Sequence, residues 1–304
     1  MARYRILQID AFTDRVFGGN PAGVVPRAEG LTDEQMQLIA REMNVSETAF
    51  VTGGGGDCLD VRFFTPTEEV DLCGHATIAT FWLLALEGRV ERKGERATVR
   101  QRTRAGTLEV DIQYCDDHPA GVMMTQVPPR TAEGGGWSRQ LQRALHLAST
   151  DWLSRMPPPQ VISTGLPDLI IPLPDRETLW SLSPDLKALA EYCRSRDIIS
   201  VHCFTTDTLS EDSVAHCRDF SPAVGVPEEA ATGTASGATG AYLILNRLVD
   251  TERDGTVTMI LEQGHILDRP STIHVEVEVK EGHPVGVRVG GEARVVLDGF
   301  LLVG

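Results

Sequence analysis

Two stretches of this chain, about half the sequence apart, repeat one pattern. The first reads RFFTP at 62–66 and CGHAT at 73–77, followed by a long apolar run. The second reads RDFSP at 218–222 and TGTAS at 232–236, followed by another apolar run. Such self-similarity indicates two copies of one structural unit. We therefore expect two related halves with a cleft between them, which is a natural place for a small ligand.

Alternation of apolar and polar residues predicts that most of the chain forms β-strands. The predicted strands cover 5–11, 49–52, 59–64, 107–113 and 257–261. The runs at 76–87 and 235–247 are instead apolar nearly all round, so each should be a helix buried inside its own half. We predict an α/β (α+β) fold of two pseudo-symmetric halves, each a curved, mainly antiparallel sheet wrapped around a central buried helix.

Three further helices are predicted on the surface from their starting residues. Thr32 and Gln35 form a capping box for the first. The second is predicted over 137–147. Ser183, followed by Pro184, is predicted to cap a third helix that runs to about Arg194.

A segment rich in proline and glycine, from 127 to 136, predicts a domain boundary. The first half would then be 1–127, with Glu47 and the CGHAT helix start. The second would be 128–304, with the ATGTASG helix start, and its last strands could return to the first half.

Charge and composition exclude some partners. Lys and Arg number 28 against 43 Asp and Glu, which gives a net charge of −15. Nucleic acids and anionic membranes need a basic surface, so neither is an expected partner. The N-terminus lacks the apolar core of a signal peptide. Six cysteines without a C-x-x-C pair predict a reduced, cytoplasmic protein, and no zinc-type ligand spacing is present.

The starts of the two apolar helices are the first candidates for a binding site. Small residues at 73–76 and 232–237 let backbone N–H groups approach a ligand, and a helix N-terminus favours negative charge. A carboxylate is therefore the expected ligand, although these glycines would also suit tight turns. The candidate substrate-binding residues are Asn20, Ser46, Cys73, Gly74, Ala76, Thr232, Gly233 and Ala235.

Titratable residues near these helix starts are the candidate catalytic groups. Cys73 would have a counterpart in Thr232, which cannot act as an acid or base near neutral pH, so a symmetric two-thiol mechanism is disfavoured. His75 has a polar counterpart in Thr234. Glu47 precedes an apolar strand, where burial would raise its pKa, although it can also be a simple capping residue.

The motifs NPAG at 20–23, SETAF at 46–50, DLCGHAT at 71–77 and ATGTA at 231–235 resemble the phenazine-biosynthesis PhzF-like family. The resemblance spans nearly the whole chain. It implies a fold like that of diaminopimelate epimerase, a site between the halves, a homodimer, and an isomerase that needs no metal or organic cofactor. It also implies that Glu47 is the acid–base residue and that His75, Glu229 and Thr234 line the site.

This sequence departs from the family at two of those positions. The usual Glu-Asp-Pro-Ala-Thr-Gly-Ser reads Glu-Glu-Ala-Ala-Thr-Gly-Thr at 228–234. Glu229 thus replaces an aspartate and Thr234 a serine, and small displacements in a site are costly. We expect an isomerase or epimerase acting on a small, cyclic or amino-acid-like carboxylate. The alternatives are a hydroxyproline-type dehydratase or racemase that uses Cys73, and a catalytically silent binding protein on the same scaffold.

Overall fold

The computed structural model describes residues 1–132 and 136–304 and divides the chain into two compact units. The first unit contains Met1–Thr125 together with Gly290–Gly304, and the second contains Gln126–Val289. The proline- and glycine-rich segment predicted as the boundary follows Thr125, and its residues 133–135 lie outside the described part of the chain.

The first unit begins with strands that enclose one helix and carry another. Its elements up to Thr125 are β1 (Ala2–Ala11), β2 (Asn20–Val25), α1 (Asp33–Met43), β3 (Glu47–Gly55), β4 (Cys58–Phe64), β5 (Glu69–Val70), α2 (Gly74–Leu86), β6 (Arg96–Thr103), β7 (Gly106–Cys115) and β8 (His118–Thr125). Most neighbouring strands pair antiparallel, but β2–β3 and β4–β6 are parallel.

The second unit repeats this order with longer connections. Its elements are β9 (Arg130–Ala132), α3 (Arg139–Ala144), β10 (Gln160–Ser163), β11 (Pro167–Pro172), α4 (Arg176–Ser181), α5 (Leu186–Arg194), β12 (Ser200–Thr205), β13 (Ala215–Ser221), β14 (Val226–Glu229), α6 (Gly233–Leu245), β15 (Gly255–Gln263), β16 (Ser271–Lys280) and β17 (His283–Gly291). The parallel pairs are β11–β12 and β13–β15. These correspond to β2–β3 and β4–β6, so the duplication read from the sequence is present in the strand pairing.

The final strand, β18 (Ala293–Val303), belongs to the first unit. It pairs antiparallel with β1 along almost its full length, from Ala2 opposite Val303 to Ala11 opposite Ala293. The last strand therefore returns to the first unit. The mixed α/β fold and the strands predicted at 5–11, 49–52, 59–64, 107–113 and 257–261 are confirmed.

A buried helix occupies the centre of each unit, as predicted. In α2 every residue from His75 to Ala85 is buried, and in α6 burial is continuous from Ala235 to Ile244. A helix that is apolar all round can be accommodated only by an enclosing sheet. Contact with that sheet is close at Gly240, where an added Cβ would lie 2.7 Å from the Cγ1 atom of Val275.

The same ion pair braces the strand before each central helix. Arg62 of β4 donates from Nε and Nη2 to the two carboxylate oxygens of Glu69, with both distances 2.8 Å. Arg218 of β13 donates from Nε and Nη2 to the two carboxylate oxygens of Glu228, again with both distances 2.8 Å. We call these pairs the two arginine clamps. Paired N–H···O bonds of this kind fix geometry as well as contribute energy.

The surface helices were predicted with mixed success. Thr32 and Gln35 make the predicted capping box of α1. The prediction of a helix over 137–147 is wrong at both ends, because Ser138 caps α3 and His146 adopts a left-handed conformation (φ 52°). The predicted cap at Ser183 is also wrong, since Asp185 accepts the hydrogen bond from the N–H of Ala188. Helix α4 was not predicted.

Two further findings bear on the sequence expectations. All six cysteines carry free thiols. None of the helices in the described residues has the length and apolar character needed to cross a bilayer.

Candidate active site

Three backbone segments of the first unit bring four of the predicted site residues together. Asn20 is the first residue of β2, and Glu47 is the first residue of β3. The two strands pair in parallel, and Glu47 lies opposite Ala22, two residues after Asn20. Cys73 and His75 lie at the start of α2. The beginnings of two strands and one helix thus meet at a single cluster.

His75 is the centre of this cluster. Its Nε2 atom lies 3.1 Å from Oε2 of Glu47. Its Nδ1 atom lies 3.4 Å from Sγ of Cys73 and 3.4 Å from Nδ2 of Asn20. The His75 side chain is only 6% exposed, and that of Glu47 is 16% exposed. The ring is therefore held on both nitrogens, while the carboxylate keeps some access to solvent.

Oε2 of Glu47 is a buried atom with unused bonding capacity. Its contact with His75 is close enough for an ion pair, but no donor among the described residues meets hydrogen-bond geometry with this oxygen. Buried carboxylate oxygens are normally hydrogen-bonded. An oxygen in this state is available to accept a proton from a bound molecule.

The expectation that the pKa of Glu47 is raised is wrong. Burial does act in that direction, but the contact with His75, its positive charge and a contact with Cys73 outweigh it and lower the pKa. Burial acts in the opposite direction on His75 and would lower its pKa, but the contacts with Cys73 and Glu47 raise that pKa well above the ordinary value. Near neutral pH the pair is therefore a carboxylate beside an imidazolium.

Cys73 is a protonated thiol in this environment. Burial, and to a lesser extent the charge of Glu47, raises its pKa to about 11. The helix start and His75 act in the opposite direction but do not prevail. Because the thiolate is the reactive form of cysteine, this environment favours Cys73 as a neighbour of the reacting groups rather than as a base.

The first turn of α2 has no side-chain cap of good hydrogen-bond geometry. The N-cap residue Cys73 makes no side-chain capping bond, and the first turn has no acidic residue. Gly74 has ample space, since an added Cβ would come no closer than 3.7 Å to another atom, Cε of Met124. The fold itself therefore does not require glycine here, which favours the ligand-binding interpretation over a tight turn.

The corresponding turn in the second unit is closed by its own side chains. Thr232, the N-cap of α6, donates from Oγ1 to Oε2 of Glu229 at 2.8 Å. Gln263 braces both residues, donating to the carbonyl oxygen of Glu229 and accepting from the N–H of Thr232. Gly264 follows at φ +80°, where a Cβ would lie 2.3 Å from the carbonyl oxygen of Arg269. Gln263 and Gly264 thus support this turn.

The other predicted site residues are placed as follows. Ser46 is half-buried just before β3, and Thr234 is half-buried in the first turn of α6, with its carbonyl oxygen bonded to Thr164. Ala76 and Ala235 are fully buried, so they can offer a ligand only their backbone. The carbonyl oxygen of Gly233 accepts a bond from Gln126. The roles of Glu229 and Thr234 remain predictions from the family resemblance.

A second polar cluster in the second unit was missed. His202 Nδ1 lies 3.0 Å from Oδ1 of Asp219, and Ser221 donates to Oδ2 of the same aspartate. On the neighbouring strands, Ser200 donates to Asp168, whose pKa is raised well above the ordinary value by burial and by the charge of Asp219. One signal was present, since Asp219 stands where the first copy of the repeat has a phenylalanine.

The structure also reveals a ligand set that the cysteine spacing did not predict. Glu47, Cys73 and His75 place a carboxylate oxygen, a thiol sulfur and a ring nitrogen all within 4.8 Å of one another. These are ligands that zinc accepts. They were not recognised because Glu47 comes from a separate strand far from the other two in sequence.

Comparisons with known proteins establish the family of this chain. The family model described as "Phenazine biosynthesis-like protein" matches residues 9–299. An uncharacterized isomerase of Clostridium acetobutylicum is 36% identical to this chain over 304 residues, which cover 99% of each protein. An uncharacterized isomerase of Deinococcus radiodurans is 39% identical over 303 residues, which cover 98% of this chain and 94% of that protein. The crystal structure of a PhzF-family phenazine biosynthesis protein from Bacillus anthracis superposes with a TM-score of 0.88 at 29% identity, covering 100% of both chains. This chain is a member of the phenazine biosynthesis-like protein family.

Proposed function

We propose that this protein is an isomerase or epimerase that moves a proton on a small carboxylate, with Glu47 as the acid–base residue. The observation that carries the proposal is the buried Oε2 of Glu47, which lies 3.1 Å from Nε2 of His75 and makes no hydrogen bond of good geometry with the described residues. Family membership and the isomerase names of the relatives support it.

The first step needs a base that is ionised at neutral pH. Glu47 meets this requirement because its pKa is lowered by His75. Its carboxylate takes a proton from a carbon of the substrate, and the electron pair of that C–H bond becomes delocalised into an adjacent unsaturated group. The proton then returns from Glu47 to another carbon, so that substrate and product have the same atoms. An epimerisation would instead need a second donor to return the proton to the opposite face of the same carbon.

The negative charge that develops on the substrate needs stabilisation. His75, as an imidazolium beside Glu47, supplies a positive charge within the cluster. The N–H groups of the first turn of α2, opened by Gly74, are suited to hold a substrate carboxylate. Preformed donors of this kind contribute strongly because they need no reorganisation during the reaction.

Cys73 is assigned a supporting role in this proposal. Its pKa of about 11 makes it a poor base, and its sulfur lies 3.4 Å from Nδ1 of His75, where it helps to hold the ring. A hydroxyproline-type reaction would instead depend on the thiol. We further propose that the protein acts in the cytoplasm as a homodimer and needs neither metal nor organic cofactor.

Deuterium exchange tests the proposal. Wild type, Glu47→Gln and Cys73→Ser would each be incubated in D2O with a panel of small carboxylates that includes amino acids and hydroxyanthranilate-like rings. We expect exchange with wild type, a loss of about 10²–10⁴-fold in Glu47→Gln, and a modest change in Cys73→Ser. Exchange that survives in Glu47→Gln but disappears in Cys73→Ser would refute the assignment. Ligand binding without exchange across the panel would favour a binding protein.

A further inference from the structure

The cluster of Glu47, Cys73 and His75 has the dimensions of a zinc site. In tetrahedral coordination, ligand atoms about 2.0–2.3 Å from the ion are separated from each other by roughly 3.3–3.6 Å. Oε2 of Glu47 lies 3.1 Å from Nε2 of His75, and Sγ of Cys73 lies 3.8 Å from the same nitrogen. Sγ lies closer to Nδ1, at 3.4 Å, and the three ligand atoms all lie within 4.8 Å of one another, so the Cys73 side chain would turn towards Nε2 to admit an ion.

Other features of the cluster support coordination through Nε2. Oε2 of Glu47 is buried and lacks a hydrogen-bond donor among the described residues, so it has a lone pair to give. Nδ1 of His75 lies 3.4 Å from the side-chain amide of Asn20, which can fix the ring orientation. In a histidine that binds an ion through Nε2, Nδ1 carries the proton and donates it, so this contact requires the side-chain amide of Asn20 to rotate and present its oxygen to Nδ1.

We propose that Glu47, Cys73 and His75 form a site for a zinc-like divalent ion, and that this ion inhibits the reaction. Binding would release the protons of the Cys73 thiol and of the His75 imidazolium, so it should strengthen as the pH rises. The resulting thiolate and imidazole select Zn²⁺, Co²⁺ and Cd²⁺ over Mg²⁺ and Ca²⁺, which prefer oxygen ligands. The inhibition rests on the proposed function, because a bound ion would occupy the oxygen of Glu47 that accepts the proton. The binding itself does not rest on it.

Cobalt substitution provides a readout that is independent of activity. The experiment would use the full chain with Cys58→Ser and Cys115→Ser, since these two cysteines are not buried and could bind metal on their own. Titration with Co²⁺ should give a near-ultraviolet thiolate-to-cobalt band and the visible bands of four-coordinate Co²⁺, saturating at one ion per chain. Mg²⁺ should give no competition, and Zn²⁺ should displace the cobalt.

Single substitutions then test each ligand. Adding Cys73→Ser should abolish the near-ultraviolet band. Glu47→Gln should weaken cobalt binding by at least roughly 10–100-fold, which is the loss seen when a residue that only hydrogen-bonds to a metal ligand is removed. Circular dichroism would establish that both variants are folded, and Cys73→Ala would serve if Cys73→Ser is not. A band that persists without Cys73, or an affinity unchanged by Glu47→Gln, would overturn the proposal.

The two proposals fail separately. Cobalt binding without deuterium exchange in any compound of the panel would support the metal site and count against the isomerase. Exchange that depends on Glu47 but is unaffected by saturating Zn²⁺, in a protein that shows no cobalt bands, would overturn the metal site and leave the isomerase. Inhibition by Zn²⁺ that disappears in Cys73→Ser would support both.

Discussion

Nε2 of His75 lies 3.1 Å from Oε2 of Glu47, and this contact reverses the effect of burial on the carboxyl group. Burial alone would raise the pKa of Glu47. The contact with His75 and its positive charge lower that pKa instead. The pair titrates as a unit, so its macroscopic pKa values belong to both groups.

Activity should be constant over a wide pH range. Because Glu47 must be ionised, kcat/KM should fall on the acid side through a pKa below 4.5. Because His75 must be protonated, kcat/KM should fall on the alkaline side through a pKa well above 6.5. Stability follows the same signs, since the carboxyl contributes above its unfolded pKa and the imidazole below its own. The exchange rate measured against pH would check this. A maximum confined to pH 6–7 would contradict it.

Removing His75 should shift the acid limb of that profile. In His75→Gln the burial of Glu47 is no longer opposed by a positive charge, so its pKa should rise above the ordinary value. The acid limb of kcat/KM should then move to higher pH, with a lower rate at the plateau. Cys73→Ser is the matched control and should leave the position of that limb nearly unchanged. An unshifted limb in His75→Gln would mean that another group sets the pKa.

Gly74 should tolerate a methyl group that the ligand does not. An alanine Cβ there meets nothing closer than 3.7 Å, so Gly74→Ala should keep or raise stability, by about 0.5–1 kcal/mol, while weakening ligand binding and raising KM. Gly240→Ala is the contrasting variant, since its Cβ would lie 2.7 Å from Val275 and should cost about 1–3 kcal/mol. Urea unfolding and KM, measured on both variants, would test this. Unchanged KM in Gly74→Ala would remove Gly74 from the binding site.

The two arginine clamps should differ in their contribution to stability. The Arg218 side chain is 6% exposed and also donates to the carbonyl oxygens of Leu179 and Leu182, whereas the Arg62 side chain is 26% exposed. Arg218→Met would leave Glu228 buried without its partner and should cost about 3–5 kcal/mol. Arg62→Met should cost about 1 kcal/mol. Equal losses in chemical unfolding would mean that exposure does not decide their contributions.

Acid stability should depend on Glu262. Burial would raise its pKa, but bonds from His216 and the N–H groups of Leu209 and Ser210 lower it to about 2. A lowered pKa stabilises the fold above the unfolded value near 4.5, and this contribution, about 2–3 kcal/mol, is lost as the pH falls towards 2. Glu262→Gln should therefore lose less stability than wild type between pH 5 and 2.5. Glu42→Gln, on the exposed face of α1, should behave as wild type.

The pattern of apolar and polar residues predicted the strands and the two central helices. Strands with alternating residues and the two all-apolar helices were found where they were predicted. The start of α5 was misplaced because Ser183, Pro184 and Asp185 all carry helix-start signals, and the hydrogen bond to Ala188 selects Asp185. That selection depends on backbone geometry that a sequence motif does not specify.

The site was predicted less completely for a related reason. The individual candidates Glu47, Cys73 and His75 could be read from motifs, but their separations could not. The pKa of Glu47 was predicted in the wrong direction because only its burial was foreseen, and the opposing charge of His75 comes from another element. The buried pair of His202 and Asp219 was missed since it joins two strands across the sheet.

Thr232 donates its hydroxyl hydrogen to Glu229 and stands at the repeat position of Cys73. It carries no group that titrates near neutral pH, so the turn at the start of α6 supplies no second thiol acid or base. If Glu47 alone removes and returns the proton, both events occur on one face of the substrate. A suprafacial shift of a double bond then suits this protein better than inversion at a carbon atom.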